Sequence, residues 1–177
     1  QAGKQAAAQK TPMPEEIKAG AARLRQQLSW DKIPSNLFKN YEGKWNGHFW
    51  AYSPLGKKEQ VNQVSIEYTR QSDTLMAMKT FSYDMISKTW VTEETATYQI
   101  EGDRILVQIR RPTGKIAKQI GHYSDGQVFL QAQIDDGAEH FRERFDDKGR
   151  LLIDGFGVYG STSGKDQHVF IGRFSRE

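Results

Sequence analysis

From Gly43 onward the chain is cut, every 8 to 13 residues or so, by clusters of turn-forming residues, and no stretch between them is long enough for a stable helix. The punctuation falls at Ser53-Pro54-Leu55-Gly56, Ser72-Asp73, Glu101-Gly102-Asp103, Pro112-Thr113-Gly114, Ser124-Asp125-Gly126, Asp135-Asp136-Gly137, Asp147-Lys148-Gly149 and Ser163-Gly164-Lys165. Glycine, Asn and Asp tolerate the left-handed conformations that tight turns need. The intervening segments, such as Val64 to Tyr68, Ile105 to Ile109, Val128 to Ile134 and Val169 to Phe174, are rich in Val, Ile, Thr, Tyr and Phe. This rhythm predicts an antiparallel meander of roughly ten short strands. An open sheet of that size would expose two edges, so closure into a barrel is expected.

Composition agrees with half-solvated strands. Of the 177 residues, 37% are hydrophobic and 27% charged, which suits a sheet with one wet face better than a parallel sheet buried on both sides. The length fits one domain. The net charge of +3 arises from basic residues interspersed with acids rather than gathered in a stripe, so nucleic-acid binding is not indicated. No apolar run has the length of a transmembrane helix. The absence of cysteine removes disulfides, thiolate nucleophiles and cysteine zinc sites.

Before the strands, residues 1–12 lack apolar periodicity and read as a mobile tail. Residues 13–177 form the barrel domain, opened by an amphipathic helix at about 14–29 whose stripe is Ile17, Ala21, Leu24 and Leu28. This helix is expected to cover a barrel end or a sheet face. Trp30 to Asn40 is a connector. The polar start at Gln1 matches an exported protein after removal of a signal peptide, so a periplasmic or extracellular location is expected, with a cytoplasmic one as the alternative.

Alternation assigns the faces. With Trp45 inward, Gly47, Phe49 and Ala51 share its side; Val64, Ile66 and Tyr68 form a second set, and Ile105, Val107 and Ile109 a third. Phe141 and Phe145 bracket Glu143 on an inward face, which turns Arg142 and Arg144 outward. A carboxylate between two buried phenylalanines needs a partner, and an inward arginine such as Arg173 is the candidate. The phase is ambiguous over Leu75 to Phe81 and His168 to Phe174, where both faces are apolar.

The segment Asn36-Leu37-Phe38-Lys39-Asn40, then Gly43-x-Trp45-x-Gly47-x-Phe49 and Ser53-Pro54-x-Gly56, resembles the opening of calycin-superfamily barrels, especially the lipocalin-like proteins related to phycobilin lyases. The resemblance covers about the first fifth of the chain. It implies an all-β, up-and-down antiparallel barrel of about 8–10 strands with an N-terminal helix, binding a small apolar or amphipathic molecule. It also implies a basic residue of the last strand against the tryptophan, here Arg173, with Arg176 second. Gly43, Trp45 and Arg173 would then close one end, leaving any ligand toward the other. Gly-x-Trp-x-Gly also resembles the start of nitrobindin-type haem barrels. That family's next glycine is Phe49 here, which fills space, while His168 resembles the placement of the haem-binding histidine.

Catalytic patterns are sparse. His48, His122, His140 and His168 lie on separate strands without zinc-motif spacing, and no nucleophile elbow, phosphate loop or Rossmann glycine pattern occurs. Glu93 and Glu94 are adjacent and so face opposite ways. Trp45, Phe49, Tyr68, Phe81, Tyr98, Phe141 and Phe156 are candidates to line a pocket, with Gly47, Ala51, Ala77, Ala96, Ala132, Gly155 and Gly157 leaving room. The expectation is therefore a non-enzymatic carrier or sensor without a metal or cofactor. Its ligand contacts would be Phe49, Tyr68, Tyr98, Phe141, Glu143 and Arg173. The alternatives are a haem or enzymatic barrel using His168, and a protein-interaction module with a filled barrel.

Overall fold

The computed structural model describes Glu15, Ala19 and residues 29–53, 56–134, 137–160 and 166–177. The expected tail at 1–12 and nearly all of the helix expected at 14–29 lie outside these residues; Glu15 and Ala19 are helical. The order of elements is α1 (Leu37–Tyr41), β1 (Gly43–Tyr52), β2 (Lys58–Arg70), β3 (Leu75–Asp84), β4 (Thr89–Glu101), β5 (Arg104–Arg110), β6 (Ile116–Ser124), β7 (Gln127–Ile134), β8 (Gly137–Phe145), β9 (Leu151–Tyr159) and β10 (Asp166–Arg176). Every strand pairs antiparallel with its sequence neighbour, and β1 pairs with β10. The sheet is a closed up-and-down barrel.

Closure is an extended ladder from Trp45 opposite Arg176 to Tyr52 opposite Val169. It removes the two edges that an open meander would present. The hairpins follow the turn chemistry of the sequence. Between β6 and β7, Asp125 and Gly126 both take positive φ, 55° and 76°, the pattern of a two-residue turn whose twist matches that of its strands.

The alternation is clear in β2, where Asn62, Val64, Ile66 and Tyr68 are buried and the residues between Val64 and Tyr68 are exposed. The two ambiguous strands resolve through their neighbours. Met76, Met78, Thr80 and Ser82 are the buried set of β3, which puts Phe81 and Ala77 on the other side; Phe81 is exposed and Ala77 lines a groove with Glu67, Lys79 and Gln108. In β10 the pairing of Phe174 with Leu151 and Gly47 turns Phe174, Gly172 and Phe170 inward, so Val169, Ile171 and Arg173 face out.

The connector contains a short helix that the sequence reading passed over. Pro34 accepts a hydrogen bond from the Leu37 amide at 3.1 Å, and Phe38 accepts one from Glu42 at 3.2 Å, closing a single turn. Leu37, Phe38 and Tyr41 are its buried face. Five residues cannot hold a helix alone, so packing holds this one. Upstream, Trp30 stacks on the outward ring of His122 with centroids 4.8 Å apart, and Asp31 donates its amide to the Tyr123 carbonyl at 2.9 Å. The segment leading into α1 thus lies against the outside of β6 and β7 at His122 and Phe129.

Candidate ligand-binding site

One end of the barrel is shut by α1 and β1 together. Trp45 is fully buried, and its indole Nε1 donates to the Tyr41 carbonyl at 2.7 Å, one of the carbonyls that a helix end leaves without a partner. Phe145 packs on both rings, at 5.0 Å from Tyr41 and 5.7 Å from Trp45. Phe38 meets Tyr98 edge-on at 6.4 Å. Full burial of each large ring contributes on the order of 3 kcal/mol.

The basic residue against Trp45 is Arg176, not Arg173. Its guanidinium carbon lies 4.7 Å from the indole centroid, and its Nη2 donates to the Asn40 carbonyl at 2.7 Å. Register explains the correction, because Arg176 is directly opposite Trp45 while Arg173 has the opposite parity. Arg173 instead lies on the outer face, 2.7 Å from Asp154, which also receives Arg142 at 3.3 Å and Arg144 at 3.4 Å. Burial, the largest single influence on Asp154, pushes its carboxyl up, but the three arginines together outweigh it and hold the group below the ordinary range.

The two glycines around Trp45 act for different reasons. Gly43 takes φ 123°, which side chains with a Cβ disfavour, and a Cβ there would meet only the flexible Arg176 side chain at 3.9 Å. Its role is conformational rather than steric. At Gly47 a Cβ would run into the backbone carbonyl of Arg173, so this glycine lets β10 close against β1.

Above the floor lies an inward carboxylate. Glu143 is 5% exposed and sits between Phe141 and Phe145 along β8, as alternation predicts. Arg173 does not reach it; being outside, it cannot be the expected partner. Burial pushes the Glu143 carboxyl up to about 7, and a hydrogen bond from Tyr41 offsets only part of this. Its Oε2 has no hydrogen-bond partner among the described residues. Tyr41, Tyr68 and Tyr98 surround this region, the first two 5.3 Å apart and the last two 6.2 Å apart by ring centroids. Burial raises all three phenols well above their ordinary value, with the Glu143 charge adding to it, so each stays neutral. The Tyr98 hydroxyl points at the Met78 sulfur, 3.9 Å away. Asn62 Oδ1 and Ser82 Oγ, on the inner faces of β2 and β3, are likewise buried without partners among the described residues.

Toward the other end the interior is looser. Phe170 lies between Phe49 and Phe141, with centroids 5.8 and 5.7 Å away, and all three keep partial exposure. Gly155 and Gly172 make room for them: a Cβ at Gly155 would strike the Phe141 ring at 2.5 Å, and one at Gly172 would approach Phe49 at 3.2 Å. The rim is polar. Glu94 pairs with Arg111 at 3.4 Å, and Tyr159 donates to Glu139 at 2.7 Å. Burial raises the Glu94 carboxyl, Arg111 opposes that, and the Glu139 charge adds to it. Glu93, as expected, faces the other way and pairs with Lys79 at 3.2 Å. His168 lies at this end with Nδ1 3.1 Å from Glu59 and its ring beside Tyr159 and Phe170.

No family model matches the sequence, and no curated protein matches it. Solved structures do match. An S-type phycobiliprotein lyase, CPES from Guillardia theta, is 11% identical, with a TM-score of 0.61 over 80% of this chain and 91% of that one. Rv2717c from M. tuberculosis is 12% identical, with a TM-score of 0.63 over 83% of this chain and 99% of that one. The chain shares its barrel fold with both. At these identities the likeness concerns the barrel and not its contents.

Of the sequence-derived contacts, the barrel brings Tyr68, Tyr98 and Glu143 together near the floor, and Phe49 with Phe141 in the open half. It separates Arg173 from both groups. Phe156 is also outside, stacked on His140 at 4.7 Å, and Phe81 shares an outer groove with Tyr83 and Trp90. Tyr41, Glu94 and Glu139 were missed as site residues. Tyr41 was legible as the apolar successor to Leu37 and Phe38 at helical spacing, whereas the meeting of Glu94 with Glu139 depends on how β4 and β8 face one another across the barrel.

Proposed function

We propose that the chain is a non-enzymatic carrier or sensor that holds one small hydrophobic or amphipathic molecule in the open half of its barrel. The observation that carries this reading is the set Phe49, Phe141 and Phe170: three aromatic side chains that point into a closed barrel and yet keep partial exposure. Side chains in a barrel packed to protein density would lose that exposure. The unpartnered Asn62, Ser82 and Glu143 atoms add polar groups in the number and placement that orient a ligand in an apolar site. An exported location, periplasmic or extracellular, belongs to the same proposal.

Haem is not part of this reading. The Nδ1 of His168 is engaged by Glu59 and its ring lies along Phe170, so protein aromatics already use a flank of the imidazole. An enzymatic barrel is the alternative that the likeness to a lyase supports at the level of fold alone.

Titration with the neutral, environment-sensitive dye Nile red tests the proposal. One saturable site is expected, weakened several-fold by Phe49→Ala and Phe141→Ala. The outer surface also carries apolar residues, with Trp90 73% exposed beside Phe81. Binding lost in Trp90→Ala and unchanged in the two inner variants would place the dye outside the barrel and overturn the reading.

A further inference from the structure

The inner wall presents hydrogen-bond acceptance without a matching donor. Oε2 of Glu143 is inaccessible to solvent, and among the described residues it has no hydrogen-bond partner and no arginine or lysine forms an ion pair with it. Leaving a buried carboxylate oxygen without a donor costs more than leaving a neutral group so. Two of the three hydroxyls around it are engaged elsewhere. Tyr68 donates to the Tyr98 hydroxyl, which is itself directed at the Met78 thioether. The Tyr41 hydroxyl bonds the carboxyl group, yet Oε2 stays unpaired.

We propose that Glu143, walled by Tyr41, Tyr68 and Tyr98, anchors a basic nitrogen, so that the ligand of the barrel is an apolar amine rather than a fatty acid or an uncharged lipid. This rests on the reading that a ligand enters the barrel. An ammonium group supplies the missing donors and the missing positive charge together, and a charge-assisted bond to a desolvated carboxylate is among the stronger single contacts open to a small ligand. The three phenols beside it are neutral and bring no competing positive charge. A carboxylate ligand would meet the opposite environment: Glu143 inside, and Glu94 and Glu139 at the rim, where Arg111 pairs with Glu94. The apolar part of the molecule would extend past Phe141 toward Phe49 and Phe170.

Isothermal titration at pH 8 with octylamine, octanol and octanoate compares three heads on one chain. Octylamine is expected to bind at least about tenfold more tightly than either of the others. Glu143→Gln, with its folding verified by thermal melting, should abolish that preference while keeping residual binding of the alkyl chain. Octanoate or octanol binding as well as the amine would overturn the inference, as would an amine preference that survives in Glu143→Gln and disappears in Glu94→Gln. Nile red binding without measurable octylamine binding would sink this inference alone. Failure of the dye and of all three alkyl compounds would take the barrel reading down as well.

Discussion

Glu143→Gln is expected to stabilise the protein increasingly as the pH rises. The carboxyl titrates near 7 in the folded chain against 4.5 for an unperturbed glutamate, because burial opposes its charge more than the Tyr41 hydrogen bond favours it. A raised carboxyl pKa means that between these values the folded state holds a proton that the unfolded state has lost. Stability in the parent protein must then fall as pH rises through that window, be fully present below about 4.5, and level off above about 7. The gap of roughly two and a half units corresponds to about 3 kcal/mol, an upper figure because relaxation and water entry soften it. Glutamine keeps the shape and cannot ionise. Urea unfolding of both proteins from pH 5 to 8.5 isolates the effect, since the difference between them cancels the four histidines and the surface carboxylates. The variant should gain most of those 3 kcal/mol relative to the parent between pH 5 and 8. A difference that stays flat, or that moves in the parent's favour as pH rises, would show that Glu143 is neutralised by something other than a proton and would refute the assignment of an unpaired buried carboxyl.

Arg176→Ala removes a contact to the indole face and a bond to the Asn40 carbonyl, and should cost about 1–2 kcal/mol. Arg173→Ala should cost less than about 1 kcal/mol, because Asp154 retains Arg142 and Arg144 on a solvated face. Chemical denaturation of the two variants should rank them in that order, and the reverse ranking would contradict the placement of Arg176 on Trp45. Gly47→Ala forces a methyl group into the Arg173 carbonyl and should destabilise by about 2 kcal/mol or more, lowering the melting temperature by several degrees. An unchanged melting curve would mean that β1 and β10 do not approach as closely as described.

The barrel was legible in the sequence because turn chemistry and strand alternation are local signals. Asp125-Gly126 needs no tertiary information to read as a hairpin, and Phe141-x-Glu143-x-Phe145 declares its face from its neighbours alone. The strands where both faces are apolar were different. In β10 Val169 and Phe170 are equally plausible core residues, and only pairing with Leu151 and Gly47 settles which parity turns inward. That missing phase is why Arg173 is expected against Trp45 and Glu143 when Arg176 takes the first position and, among the described residues, no arginine takes the second. Phe81 and Phe156 failed for a related reason, since an aromatic on the solvent side of a strand carries no mark in its own identity. The unpartnered atoms of Asn62 and Ser82 lie further still from sequence, because a lack of partners is a property of the assembled interior.

The ladder between β1 and β10 has a consequence for the time course of folding. Residues 43–52 receive their second partner from residues 166–176, so the first strand of the barrel must wait for the last. The other strand pairs are hairpins that form locally, and the final seam is a search over more than a hundred residues, which places its formation late and makes it slow. A chain whose seam has not yet closed carries two unsatisfied edges, one of them β1. During synthesis the nascent chain would therefore depend on protection from self-association for as long as the ribosome takes to deliver β10.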